Sequence, residues 1–129
     1  MIVYYDGVCA LCNRLVRWAL RHDKQGRLQF APLESRRGTR MRDAFPETRN
    51  VDSVVVHEGD RVWLRSEALL KIAEQLGGIW RVAALGRLLP RALRDRLYDA
   101  VARGRYERFG KLAECPIPPP ELRSRFLLD

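Results

Sequence analysis

A mixed β-sheet flanked by helices, an α/β fold, is the class this sequence predicts, and three observations predict it. The apolar run Ile2-Val3-Tyr4-Tyr5 is followed at once by a helical period and then by a second apolar run around Phe30, the order of a βαβ crossover. The β-branched run Ser53-Val54-Val55-Val56-His57 is followed by Gly59-Asp60 and by Arg61-Val62-Trp63-Leu64, the pattern of a tight hairpin. The hairpin leads into a third helical period over 67–76. Parallel pairing needs a crossover and antiparallel pairing only a turn, so this order gives a sheet of both kinds.

Each element has a local reason. Residues 2–6 form the first strand, and 9–23 a helix with Leu11, Leu15, Trp18, Ala19 and His22 in period, stopped near Gly26. Residues 28–33 form the second strand, with Pro32 pointing to an edge or a strand end. The polar stretch 34–45 holds a short helix before Pro46. Ser66 is placed to cap a helix over 67–76 whose face is Ala68, Leu69, Ile72, Ala73 and Leu76, and Gly77-Gly78 stops it. Beyond 79–89, Pro90 occupies the first position of a helix with Leu93, Leu97, Tyr98 and Val101 on its apolar side. After Gly110, Cys115-Pro116-Ile117-Pro118-Pro119-Pro120 cannot be helical and lies extended over a surface. No repeat or long linker divides the chain. The expectation is one domain over 1–129, with a core at 1–78 and a helical, Pro-rich extension at 79–129.

Composition narrows the function classes. The 129 residues suit one domain, and 47% hydrophobic with 31% charged residues is a folded, soluble balance. The longest largely apolar stretch, 76–89, carries Arg81 and Arg87 and is too short to span a bilayer. The start resembles a strand and not a secretory leader, so the expected compartment is cytoplasmic. Cysteine pairs there are more often catalytic or metal-binding than structural. The net charge of +8 raises nucleic acid or an anionic membrane as partners. However, Arg14, Arg17 and Arg21 make one solvated helix face. Arg91, Arg94, Arg96, Arg103, Arg105 and Arg108 alternate with Asp95, Asp99 and Glu107. No recognition motif accompanies the charge, so no specific nucleic acid is expected.

The chemistry is carried by Asp6-Gly7-Val8-Cys9-Ala10-Leu11-Cys12. A Cys-x-x-Cys pair at a strand-to-helix junction is where thioredoxin-like proteins keep a redox dithiol. The first helical turn has amide N–H groups without partners and the positive end of the helix dipole. A Cys9 thiolate there gains hydrogen bonds, which makes Cys9 the nucleophile and the more exposed thiol. Cys12, one turn on, closes the disulfide and releases the substrate.

Tyr5-Asp6-Gly7-Val8-Cys9-Ala10-Leu11-Cys12-Asn13 resembles the signature of the DCC family, thiol-disulfide oxidoreductases named for the Asp and the two Cys. The likeness continues in Phe30-Ala31-Pro32-Leu33, Arg65-Ser66-Glu67-Ala68, Leu89-Pro90-Arg91-Ala92-Leu93-Arg94-Asp95 and Arg105-Tyr106-Glu107-Arg108-Phe109-Gly110. It reaches Cys115-Pro116 and Arg125-Phe126, and so covers nearly the whole chain. The resemblance implies a thioredoxin-like domain with a redox Cys9–Cys12 pair but supplies no substrate. A protein or small-molecule thiol or disulfide is the expected partner, and no cofactor is expected. One departure stands out: Asp52 occupies the position where thioredoxin-like proteins usually carry a cis-proline.

The candidate catalytic residues are therefore Cys9, Cys12 and Asp6. Asp6 either takes the Cys12 proton during resolution or caps the turn at Gly7. Cys115 is the candidate accessory thiol; a small buried residue or a third metal ligand are its other readings. His22 and His57 have no partner at ligand spacing, and Trp18, Trp63 and Trp80 are read as core or interface aromatics. The alternative from another class is a binding or scaffold module in which Cys9, Cys12 and Cys115 with a histidine hold zinc.

Overall fold

Four strands of the computed structural model pair in the order β2-β1-β3-β4. Residues 1–23, 26–50, 54–77, 85–104, 107–108, 110 and 125–127 are described. In chain order they give β1 (Ile2–Tyr5), α1 (Ala10–His22), β2 (Gln29–Pro32), α2 (Arg36–Ala44), a 3₁₀ turn (Pro46–Asn50), β3 (Val55–Glu58), β4 (Arg61–Leu64), α3 (Arg65–Leu76) and α4 (Arg91–Arg103). β1 runs parallel to β2, with Tyr5 opposite Pro32, and antiparallel to β3, which forms a hairpin with β4. The α/β class, the crossover and the hairpin are those expected, in a mixed sheet consistent with a thioredoxin-like fold. Gly59 closes the hairpin at φ +63°, a backbone angle that disfavours any side chain.

Alternation along β1 divides the core. Val3 and Tyr5 point to the side of α1 and α3 and pack with Cys9, Cys12, Val16, Ala19, Phe30, Val56 and Ile72. Tyr4 points to the other side, with Ala31, Leu33, Met41 and Val55. Both faces of the sheet are therefore covered, which fits a strand buried on both sides.

Pro32 satisfies both expectations for it, ending β2 on an edge strand. That edge is not bare. Leu127 donates its N–H to the Phe30 carbonyl at 2.7 Å, and Phe126 forms a parallel bridge with Phe30. Chain positions near the C-terminus thus extend the sheet beyond β2.

The structure differs from the sequence reading in several places. Ser66 is not an N-cap. β4 runs directly into α3, with Leu64 in the cap position and no side-chain bond, and Arg65 takes the turn at φ +55°. Ser66 then lies inside the first turn, where its hydroxyl donates to Asp95 of α4 at 2.5 Å. Pro90 stands one residue earlier than expected, in the cap position before Arg91. The apolar side expected for α4 borders the space between it and α3, where Leu97 is 57% exposed and Leu93 and Val101 are exposed as well. Arg94, in contrast, is not a solvated charge and pairs with Glu67 at 2.9 Å. Residues 78–84, including Trp80, and residues 51–53, including Asp52, lie outside the described residues.

Candidate active site

Cys9 occupies the N-cap of α1 in extended conformation, and its Sγ accepts the Cys12 N–H at 3.4 Å. The cap oxygen common at such positions is replaced here by sulfur. The preceding turn holds this geometry. Cys9 donates its N–H to the Asp6 carbonyl at 3.2 Å, and Asp6 Oδ1 accepts the Val8 N–H at 3.1 Å. Asn13 Nδ2 donates to the carbonyls of both Gly7 and Cys9 at 2.9 Å, bracing the turn from inside the helix.

Both thiols are buried, at 0% exposure for Cys9 and 3% for Cys12, and both are free cysteines. This corrects the expectation that Cys9 is the more exposed. The reason is the helix period. The buried stripe of α1 is Cys12, Val16 and Ala19, with Leu11, Leu15 and Trp18 flanking it, so the stripe begins at the dithiol itself. The carbonyl of Gly110 also lies at the helix start, accepting the Ala10 N–H at 3.2 Å.

Burial pushes the Cys12 thiol up to about 12, reinforced by charge at Cys9 and by a hydrogen bond between the two sulfurs. The Asp6 charge acts in the same direction, against a backbone hydrogen bond from Asp6 that lowers it. Cys12 is therefore a protonated thiol at neutral pH, poised beside a carboxyl.

Asp6 is 5% exposed, and a second carboxyl reaches it from the turn after β2. Glu34 accepts the Gly7 N–H through Oε1 at 3.1 Å and Oε2 at 3.4 Å, while Asp6 Oδ1 takes the next amide, that of Val8, so the two carboxyls stand within hydrogen-bonding reach of each other. Partial burial raises the Glu34 carboxyl above its ordinary range, and the bond to Asp6 and its charge add to this, while backbone hydrogen bonds oppose it. Glu34 was missed as a site residue because it sits in an unremarkable polar stretch. The signal available was its place directly after Phe30-Ala31-Pro32-Leu33, the second of the matched segments.

On its other side Cys12 borders an apolar cavity of about 460 Å³ between α1, α3 and α4, lined in part by Leu15, Leu69, Leu97 and Tyr98. The Tyr98 hydroxyl accepts the Val54 N–H at 3.2 Å, tying α4 to the chain entering β3. The histidines are placed apart from the dithiol contacts. His22 Nδ1 bonds the Trp18 carbonyl and its ring stacks on Trp18, while His57 Nε2 bonds the Gly59 carbonyl. Trp63 is half-buried, with Lys71 over its ring. Among the described residues, no three His, Cys, Asp or Glu side chains are grouped to hold a metal ion, and no helix is long and apolar enough to cross a membrane. Cys115 lies outside the described residues.

Comparison with known proteins agrees with this geometry. The profile of the DCC1-like thiol-disulfide oxidoreductases matches residues 3–111. The chain is 36% identical over 128 residues to the uncharacterised Bacillus subtilis protein YuxK, covering 98% of this chain and 93% of that protein. It is 34% identical over 120 residues to a chloroplastic DCC family protein of Arabidopsis thaliana, covering 90% of this chain and 69% of that protein. No solved structure matches it. The chain belongs to the DCC1-like thiol-disulfide oxidoreductase family.

Proposed function

We propose that this family member catalyses thiol-disulfide exchange, with Cys9 as nucleophile and Cys12 as resolving thiol. The observation that carries the reading is the asymmetry of the pair. Cys9 Sγ caps the helix and accepts an amide N–H, whereas the Cys12 thiol is pushed up to about 12. The sulfur at a helix start is the one better stabilised as an anion. In the reducing direction, the Cys9 thiolate attacks a substrate disulfide, forming a mixed disulfide and expelling one substrate thiolate. Cys12 Sγ then attacks Cys9 Sγ. The Cys9–Cys12 bond forms, the bond to substrate breaks, and the second substrate sulfur leaves. Two electrons pass from the dithiol to the substrate, and the protein is left as a disulfide.

Asp6 serves as the base for the second step, because a thiol titrating near 12 transfers its proton only to a neighbouring acceptor. The substrate is a protein or small-molecule disulfide, and the reaction needs no bound cofactor. Residues 79–129 are read as an extension of the same domain, with Cys115 as an accessory thiol.

Mass spectrometry after mild oxidation should find an intramolecular Cys9–Cys12 disulfide, and the same map reports any bond to Cys115. Cys9→Ser should trap no substrate, and Cys12→Ser should accumulate mixed disulfides. The mechanism is wrong if both variants reduce a model disulfide as fast as the parent.

A further inference from the structure

Resolution by Cys12 produces a proton inside the protein. Cys12 is 3% exposed and its neighbour Asp6 5%, so neither hands a proton directly to bulk water. Glu34 is exposed, yet its carboxyl accepts the Gly7 N–H beside the Val8 N–H that Asp6 Oδ1 accepts, which brings the two carboxyls within hydrogen-bonding reach. Two carboxyl groups in hydrogen-bond contact hold one proton between them, since two carboxylates have no donor to share. This contact spans the boundary between the buried dithiol and solvent.

We propose that Glu34 is a positioning residue of the exchange reaction, sharing one proton with Asp6 and carrying the Cys12 proton to solvent. The proposal rests on the dithiol reading above and extends it to a residue outside the Cys-x-x-Cys motif. As Cys12 Sγ attacks Cys9 Sγ, its proton passes to Asp6, and the proton already shared moves onto Glu34 and leaves from its exposed side. The departing substrate thiolate takes a proton from solvent, so charge and protons balance. The bonds from Gly7 N–H to both Glu34 oxygens also fix the carboxyl against the turn that carries Cys9.

Among the described residues, Cys9 and Cys12 face the pair from the start of α1, Cys9 through its N–H to the Asp6 carbonyl and Cys12 through the effect of the Asp6 charge on its thiol. Arg36 and Arg37 follow Glu34 in sequence at the start of α2. The raised Glu34 carboxyl fits a proton held between the two groups. A pair that shares a proton titrates as a unit, so removing one member changes the pH dependence of the other.

Glu34→Gln is the test. Gln keeps an oxygen for Gly7 N–H and an N–H₂ for Asp6, so its geometry is close to that of Glu, but it cannot carry a proton away. The rate to read is closure of the Cys9–Cys12 disulfide from a preformed mixed disulfide, followed by stopped flow against pH. In Glu34→Gln the plateau should fall about tenfold, less than the ~10²–10⁴-fold typical of a primary acid–base group because Asp6 is still present. The acidic limb should move to higher pH, because the Asp6 carboxylate then lacks the shared proton that stabilises it. A purely structural role would change the melting temperature and leave the position of that limb alone. A profile superimposable on the parent's overturns the proposal.

A second measurement does not depend on activity. Infrared spectra at about pH 6, above the ordinary carboxyl range, should show a protonated carboxylic acid that Asp6→Asn abolishes. Absence of that signal in the parent also overturns the proposal. If the parent itself forms no Cys9–Cys12 disulfide, the dithiol reading has failed instead. An active parent with an unaltered Glu34→Gln profile sinks the relay alone.

Discussion

The carbonyl of Gly110 accepts the N–H of Ala10 at 3.2 Å, one residue beyond the sulfur that caps α1. It takes up one of the few amide donors at a helix start that would otherwise meet an anion. Cys9 beneath is fully buried. Gly110 sits at φ +95°, where a β-branched side chain is strongly disfavoured, and a Cβ there meets no atom within 4 Å. Gly110→Val should therefore act through backbone strain alone, of order 1–3 kcal/mol, and loosen this contact. Alkylation of Cys9 by iodoacetamide, followed by mass spectrometry, should accelerate several-fold in the variant. An unchanged rate would mean that Gly110 does not guard the thiol.

The raised Cys12 thiol has a consequence for stability at high pH. Its folded value of about 12 lies above the ordinary 9.0. Below about pH 9 the thiol is protonated in both states and the term is constant. Between the two values the unfolded chain releases its proton while the folded chain keeps it, so stability falls as pH rises. The loss reaches as much as about 4 kcal/mol, at about 1.4 kcal/mol per unit. Urea unfolding of the reduced protein and of Cys12→Ala should show the parent losing stability faster from about pH 9 to 11. A constant difference between the two across that range would refute the assignment.

Much of this was legible in the sequence because it is local. The periods of 2 and 3.6 residues, the Gly59-Asp60 turn and the strand-to-helix position of Cys9 each need only a short window. What the sequence left hidden is set by partners distant along the chain. Ser66 reads as a cap until Asp95, on another helix, is found bonded to it. Leu97 and Val101 read as the apolar side of a helix, and only the arrangement of the neighbouring helices shows that this side borders a cavity. Glu34 is one carboxyl among 16 acidic residues, and only the close approach of two turns shows that it faces Asp6. The carbonyl that meets the Ala10 N–H beside Cys9 likewise comes from Gly110, about a hundred residues away.

Asp23 closes another long-range link. Its carboxylate is buried and accepts the N–H groups of Arg27 at 3.2 Å and Leu28 at 2.8 Å. It also pairs with Arg125, whose Nε donates to the Leu28 carbonyl at 2.9 Å. Arg125 thereby holds Phe126 beside Phe30, their rings 5.7 Å apart. Removing one member of a buried pair leaves the other charge uncompensated, at a cost of about 3 kcal/mol. Arg125→Ala should lower stability by that order, and amide exchange at Gln29 to Ala31 should rise. Unaltered exchange on β2 would show that the pairing does not support this edge.

The turn bearing Glu34 depends on a glycine in the next helix. α2 begins at a Ser35 cap, whose Oγ accepts the Gly38 N–H at 3.1 Å, and it packs directly against the end of β2. A Cβ on Gly38 would lie 2.3 Å from the Leu33 carbonyl oxygen and 2.8 Å from its carbon. Two effects of Gly38→Ala then compete. Alanine in place of glycine within a helix gains about 1 kcal/mol from propensity. The clash is with backbone and not with the tip of a flexible side chain, so relief requires α2 to move off the turn, costing about 1–3 kcal/mol. The clash should win. Gly38→Ala should melt several degrees below the parent, and the acidic limb of its exchange profile should shift as Glu34 loses its register with Asp6. A variant that melts higher than the parent would show that α2 yields freely, and that Gly38 does not set the position of this turn.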